Sequence, residues 1–182
     1  MDLITASHIG DLEAVKELIA AGADPNTANR YSNTPLLIAS FNRHLEVVKE
    51  LLQAGADPNI VNRGGQTPLY WASYHGYLEI VRELLQAGAD PNIAEQDGYT
   101  ALHWASDAEH LEIVKELLLA GADPNIANKD GITPLMSAEK NRNFQLVKEF
   151  ENHFPTLFHL SLRLLRKFGV DISSTHVLLN FT

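Results

Sequence analysis

The chain has 182 residues, 45% of them hydrophobic, with 14 Lys and Arg against 23 Asp and Glu, eight His, no Cys and a formal net charge of −9. That length suffices for one well-buried domain, and the apolar content excludes wholesale disorder. Lack of Cys removes disulfide scaffolds, thiol catalysis and Cys-based zinc sites, and the acidic balance argues against nucleic acid, whose phosphates need clustered Lys and Arg.

The opening Met-Asp-Leu-Ile-Thr carries an acid where a secretory signal would carry bases. No apolar run approaches the roughly 20 residues that cross a bilayer. A soluble monomer in the cytoplasm is expected, with the nucleus left open and a membrane role disfavoured.

Self-similarity organises the rest. Ala-Gly-Ala-Asp-Pro-Asn occurs at Ala21–Asn26, Ala54–Asn59, Ala87–Asn92 and Ala120–Asn125, with Gly22, Gly55, Gly88 and Gly121 spaced 33 residues apart. In the same register run Thr34-Pro35-Leu36, Thr67-Pro68-Leu69, Thr100-Ala101-Leu102-His103 and Thr133-Pro134-Leu135. Units are expected at about residues 1–28, 29–61, 62–94, 95–127 and 128–153.

In chain order, the first unit begins directly in a helix, since Met1 falls where Thr34 sits one unit on. Its Thr5, Ser7, His8 and Asp11 are polar, as an exposed outer layer requires. In the second unit, Thr34 can cap a helix whose first position is Pro35, where the missing N–H costs nothing. A helix of about two turns follows, then a break at Asn42-Arg43-His44, matched by His75-Gly76-Tyr77 one unit later. A second helix is expected from Leu45 to Ala54, with Leu45, Val48, Leu51 and Leu52 on its apolar face and Glu46, Lys49, Glu50 and Gln53 on its wet one. Gly55 supplies a left-handed stop, and Asp57-Pro58-Asn59 prevents helical continuation. Ile60–Gln66, with Gly64-Gly65, reads as a turn-bearing arm leading to the next Thr-Pro. Helix pairs this short cannot bury an apolar face alone, so copies must stack on one another.

The period, the Thr-Ala-Leu-His helix start at Thr100–His103 and the Gly-Ala-Asp-Pro-Asn helix end resemble the ankyrin repeat family over Met1 to His153. The resemblance implies an all-α solenoid of about five stacked helix-turn-helix repeats with turn or hairpin arms. It also implies that His103 hydrogen-bonds within its turn, and that arms and first helices line a concave face used for binding.

The fifth unit departs where glycine is due, at Phe154. Gly169-Val170-Asp171 is a worn helix end, so residues 154–171 hold either a degenerate half repeat or an insertion; an added C-terminal capping helix from about Pro155 to Phe168 is favoured, with 172–182 as a flexible tail. Residues 152–182 carry a net +2 against −11 on residues 1–151, so a basic edge of the cap would meet an acidic body. Alternatively, this amphipathic run recruits a membrane or a second protein, making the chain an adaptor. Pro155-Thr156-Leu157, Leu160-Ser161 and Leu165 faintly resemble the start of a suppressor-of-cytokine-signalling box, a ubiquitin-ligase recruitment element, although Ser161 stands where that motif favours Cys.

Chemistry is sparse. Asp24, Asp57, Asp90 and Asp123 recur in identical contexts and read as loop-stabilising. The eight His show no metal-ligand spacing, and no phosphate loop or nucleophile elbow is present, so no enzyme and no cofactor are expected. What varies along the ladders is a surface. On the arms lie Arg30, Tyr31, Arg63, Gln66, Asp97, Tyr99 and Lys129; on the first helices lie Phe41, Trp71, Tyr74, His75, Trp104 and Asp107. Trp71, Tyr74 and His75 stand at i, i+3 and i+4 on one face, with Trp104 about 10 Å along the stack. Aromatic anchors beside Arg and Asp are what a protein-binding hot spot needs. Trp71 and Trp104 either contact that partner or pack between neighbouring first helices.

Overall fold

The computed structural model describes residues 1–153, in which every regular element is a helix. The expected capping helix, tail and recruitment motif lie outside the described residues. Ten helices follow in pairs: α1 Leu3–Ile9 and α2 Leu12–Ala20; α3 Pro35–Phe41 and α4 Leu45–Gln53; α5 Pro68–His75 and α6 Leu78–Gln86; α7 Ala101–Asp107 and α8 Leu111–Leu119; α9 Pro134–Lys140 and α10 Phe144–His153. Each odd-numbered helix packs on its own partner and on the next odd-numbered helix; the even-numbered helices do likewise. The result is two layers with one core between them, built from Leu36, Leu69 and Leu102 against Val48, Val81, Val114, Leu51, Leu84 and Leu117.

Local chemistry sets the helix boundaries. Thr34 and Thr67 Oγ1 accept from the backbone N–H of Leu37 and Tyr70 at 3.2 and 3.0 Å, closing the first turn while Pro occupies the first helical position. The first pair lacks Thr-Pro, and Asp2 and Asp11 cap its helices instead, accepting from Thr5 and Ala14 at 2.7 and 3.0 Å. Gly22, Gly55, Gly88 and Gly121 end the second helices at positive φ, as expected.

Between the helices of each pair a further left-handed residue recurs at Gly10, Arg43, Gly76, Glu109 and Arg142, with φ from 55° to 79°. The next residue donates back across the turn, as His44 does to the Ala39 carbonyl at 2.9 Å, which holds this conformation even without glycine. At Gly76 an added Cβ would meet the His110 ring at 2.7 Å, so a larger residue there would have to displace that side chain.

Each arm is a tight loop around one side chain. Asn62 Oδ1 accepts from the N–H groups of Gly64 and Gln66 at 2.9 and 3.0 Å, and Glu95 Oε1 serves Asp97 and Tyr99 in the same way. Successive arms join through one backbone bond each, from Arg63 to Tyr31, Gln96 to Gly64 and Lys129 to Asp97, at 3.1, 3.1 and 2.9 Å.

The repeated Asp residues do stabilise their loops: Asp57 Oδ1 accepts from Asn59 N at 2.8 Å, as Asp90 does from Asn92. The neighbouring asparagines tie one unit to the next. Asn59 Oδ1 accepts from Asp90 N at 2.7 Å while its Nδ2 donates to the Gly88 carbonyl at 3.1 Å, and Asn26 and Asn92 repeat the arrangement. Asn59→Ala therefore removes two bonds between units and lowers stability by about 1–2 kcal/mol in urea unfolding.

Two sequence expectations are corrected. Ser7 is fully buried, because α1 packs on both α2 and α3. On α4 the buried residues are Val47, Val48 and Leu51, while Leu45 and Leu52 are half-buried, because a second helix is covered by its neighbours along the stack as well as by its own partner.

Candidate functional site

Helices α3, α5, α7 and α9 bury most of their length and open toward their C-terminal ends. On α3 every residue from Pro35 to Ser40 is buried and Phe41 emerges; on α5 Tyr74 is exposed while Trp71 and His75 are half-buried; on α7 Trp104 is half-buried and Asp107 exposed. A shift of 33 residues turns these into ladders: Thr5, Ile38, Trp71 and Trp104 on one line, and His8, Phe41, Tyr74 and Asp107 on the next.

The rings meet in one continuous array. The Phe41 ring meets Trp71 edge-on at 4.9 Å between centroids, and Trp71 meets Tyr74 at 5.9 Å. Tyr74 in turn meets Trp104 at 4.9 Å, and Tyr99 stacks on Trp104 at 5.0 Å. His75 stacks between Trp71 and Tyr77, at 5.9 and 5.4 Å. Edge-on and offset pairs of this kind add about 0.5–1.5 kcal/mol each beyond burial, so the array is ordered before anything binds.

Packing and exposure divide the residues singled out from the sequence. Trp104 packs, wedged by Tyr70, Tyr74 and Tyr99 with its Nε1 buried and unpartnered. Trp71 is flanked by Phe41, Tyr70, Tyr74 and His75. Burial holds the His75 imidazole below its ordinary range and raises the Tyr70 phenol. The rings left open are Tyr31 at 50% exposure, Phe41 at 41% and Tyr74 at 40%.

On the arms, the Arg30 guanidinium lies over the Tyr31 ring at 4.6 Å. Gln66 Oε1 accepts from Asn62 Nδ2 at 3.0 Å, which commits that side chain to its own arm. The Arg63 side chain is exposed, and its carbonyl accepts from Gln96 Nε2 at 2.8 Å. Lys129 and Asp97 pair at 3.3 Å across neighbouring arms, and the Asp107 carbonyl accepts from Asn141 Nδ2 at 3.0 Å. Asp97, Asp107 and Lys129 thus sit apart from Arg30, Tyr31 and Phe41, which gather around the first arm.

There the surface deepens into an open groove of about 480 Å³, lined by Ile4, Thr5 and His8 of α1, Leu37, Ile38 and Phe41 of α3, Asn29, Tyr31 and Asn33 of the first arm, and Asn42, Asn62 and Trp71. The polar look of α1 hid its contribution. The signal was the 33-residue offset, which places Ile4 and His8 on the ladders of Leu37 and Phe41.

A family model described as ankyrin repeats in three copies matches residues 3–95, 55–127 and 87–153, which together span nearly all the described chain. This chain belongs to the ankyrin-repeat family. No curated protein matches it. Ankyrin repeats generally mediate protein-protein interaction.

Within the ankyrin repeat at Thr100, His103 behaves as its motif implies. Its Nδ1 accepts from Thr100 N at 3.0 Å and its Nε2 faces the Ile132 carbonyl of the next unit at 3.0 Å, so the proton belongs on Nε2. Burial lowers the pKa of this imidazole, and the Ile132 bond opposes that only in part. Among the described residues, no group of three or more His, Asp or Glu is placed to hold a metal ion, and no helix is long and apolar enough to cross a membrane.

Proposed function

We propose that this ankyrin stack is a non-enzymatic, cofactor-free interaction module that captures a partner protein on the face made by its arms and first helices. The observation that carries this reading is the ring array from Phe41 to Tyr99. It runs across three units and leaves Phe41 and Tyr74 open, with Tyr31 beside them. Aromatic rings already locked by their neighbours lose little entropy on binding and desolvate large areas. The second helices offer mainly i, i+3 ion pairs such as Lys49 with Glu46 and Lys115 with Glu112 at 3.1 and 2.8 Å, which contribute little to recognition.

Affinity capture from a cell lysate, with mass spectrometry, tests this. Tyr31→Ala, Phe41→Ala and Tyr74→Ala combined should weaken retention of the captured protein by more than about 100-fold, since a single buried aromatic anchor contributes about 2 kcal/mol or more. The helical circular dichroism should stay unchanged. Retention that survives all three changes contradicts the assigned face.

A further inference from the structure

The face that holds the groove is not uniform in charge. Residues 27–43 and 60–77, which form the first two arms with α3 and α5, contain Arg30, Arg43 and Arg63 and not one Asp or Glu. Residues 93–110, which form the third arm with α7, contain Glu95, Asp97, Asp107 and Glu109 and not one Lys or Arg. In a chain of net charge −9, this makes a local cationic zone with an abrupt acidic border.

The cationic zone supplies nine of the twelve residues that line the apolar groove, the others being Ile4, Thr5 and His8 of α1. Arg30 lies over Tyr31, the ring that walls the groove, at 4.6 Å, and the Arg63 backbone N–H donates to the Tyr31 carbonyl at 3.1 Å, which sets Arg63 on the arm next to Arg30's. Neither makes an ion pair among the described residues, and both side chains are exposed. A guanidinium stacked on a ring keeps its planar N–H edge free for a carboxylate.

We infer that the partner enters this groove as an acidic peptide segment with a bulky apolar anchor. The apolar side chain fills the space between Ile4, Leu37 and Phe41, and neighbouring carboxylates pair with Arg30 and Arg63. The acidic border at Glu95 and Asp107 repels the same segment, which confines it to the first two arms; Asp97 is paired with Lys129 and adds less. Three arginines beside four carboxylates are a poor match for a nucleic-acid backbone, whose charge repeats along its whole length. This inference rests on the face proposed above and adds the chemistry of what it holds.

The test pans a phage-displayed library of random 12-residue peptides against the full chain, then measures fluorescein-labelled copies of the enriched sequences by polarisation. Enriched peptides should carry Phe, Leu or Trp flanked by Asp or Glu, and their binding should fall as salt rises. Arg30→Glu with Arg63→Glu should weaken them at least about tenfold and the milder Arg30→Gln with Arg63→Gln less, with thermal unfolding unchanged. Phe41→Ala should also weaken them. Neutral or basic sequences, no enrichment, or binding of a labelled oligonucleotide in place of peptides would overturn the inference. If Phe41→Ala weakens the peptides and charge reversal does not, the acidic-peptide inference falls while the assigned face stands.

Discussion

Leu84→Ala in α6 should cost about 3–5 kcal/mol and lower the thermal midpoint by about 10 °C, because it empties a fully buried position (0% exposure) in the middle of the stack. Helix α6 packs on α4, α5 and α8, so the cavity opens between three neighbours that cannot all collapse into it. A stack gains its stability from interfaces between units, and a defect at the centre uncouples the two ends. Urea unfolding should therefore broaden as well as shift. Leu119→Ala is the control: that leucine ends α8 at 73% exposure, and its removal should change stability by less than about 0.5 kcal/mol. Equal losses from the two leucines would contradict the layered core.

His103→Ala is the second large effect. It leaves the buried Thr100 N–H without a partner, while the Ile132 carbonyl keeps its bond from the Asn128 N–H, at a cost of about 1–3 kcal/mol. The same residue ties stability to pH. The unfolded imidazole titrates near its ordinary value of about 6.5, whereas burial lowers it in the fold. Between those two values the unfolded chain binds the extra proton, so stability is full above about pH 7 and declines as pH falls through 6.5 toward the folded value. His75 adds a contribution of the same sign, and the raised Glu151 carboxyl acts in the opposite direction at lower pH. His103→Gln can still reach back to the Thr100 N–H, so it should lose less stability than the alanine variant and flatten the decline between pH 7.5 and 5.5. A slope identical to that of the unsubstituted chain would show that His103 is not its source.

Those two residues illustrate how unevenly the fold can be read from sequence. The His103 turn was legible through the family resemblance, whose motif is local: a capping Thr and an imidazole three residues on, within the first turn of α7. Helix ends at Thr34-Pro35 and Gly55 were legible for the same reason, since caps act over four residues. The depth of the core was not. Val47 and Ser7 are buried by units 33 residues away, and a single-helix hydrophobic face carries no information about neighbours along a stack. Arg43 and Glu109 take a left-handed backbone that neither residue type announces; it is imposed by the bond back across the turn and by the packing of the next unit.

The site divides in the same way. That aromatic residues cluster on α5 and α7 follows from spacing alone. Whether a ring packs or protrudes depends on its neighbours: Tyr99 and Tyr74 close over Trp104, while Phe41 lies at the end of its helix and stays open. Gln66 looked free in sequence and is tied to Asn62. The contribution of α1 to the groove needed the ladder offset rather than composition, because Thr5 and His8 read as surface.

Hydroxyl-radical footprinting of the full chain, with and without a bound protein or enriched peptide, bears most directly on the interaction face. Oxidation of Tyr31, Phe41 and Tyr74 should fall on binding while that of Leu119 and Phe144, exposed on the second helices, stays constant. Protection of Leu119 or Phe144 with the three rings left reactive would place the partner on the opposite layer and contradict the account.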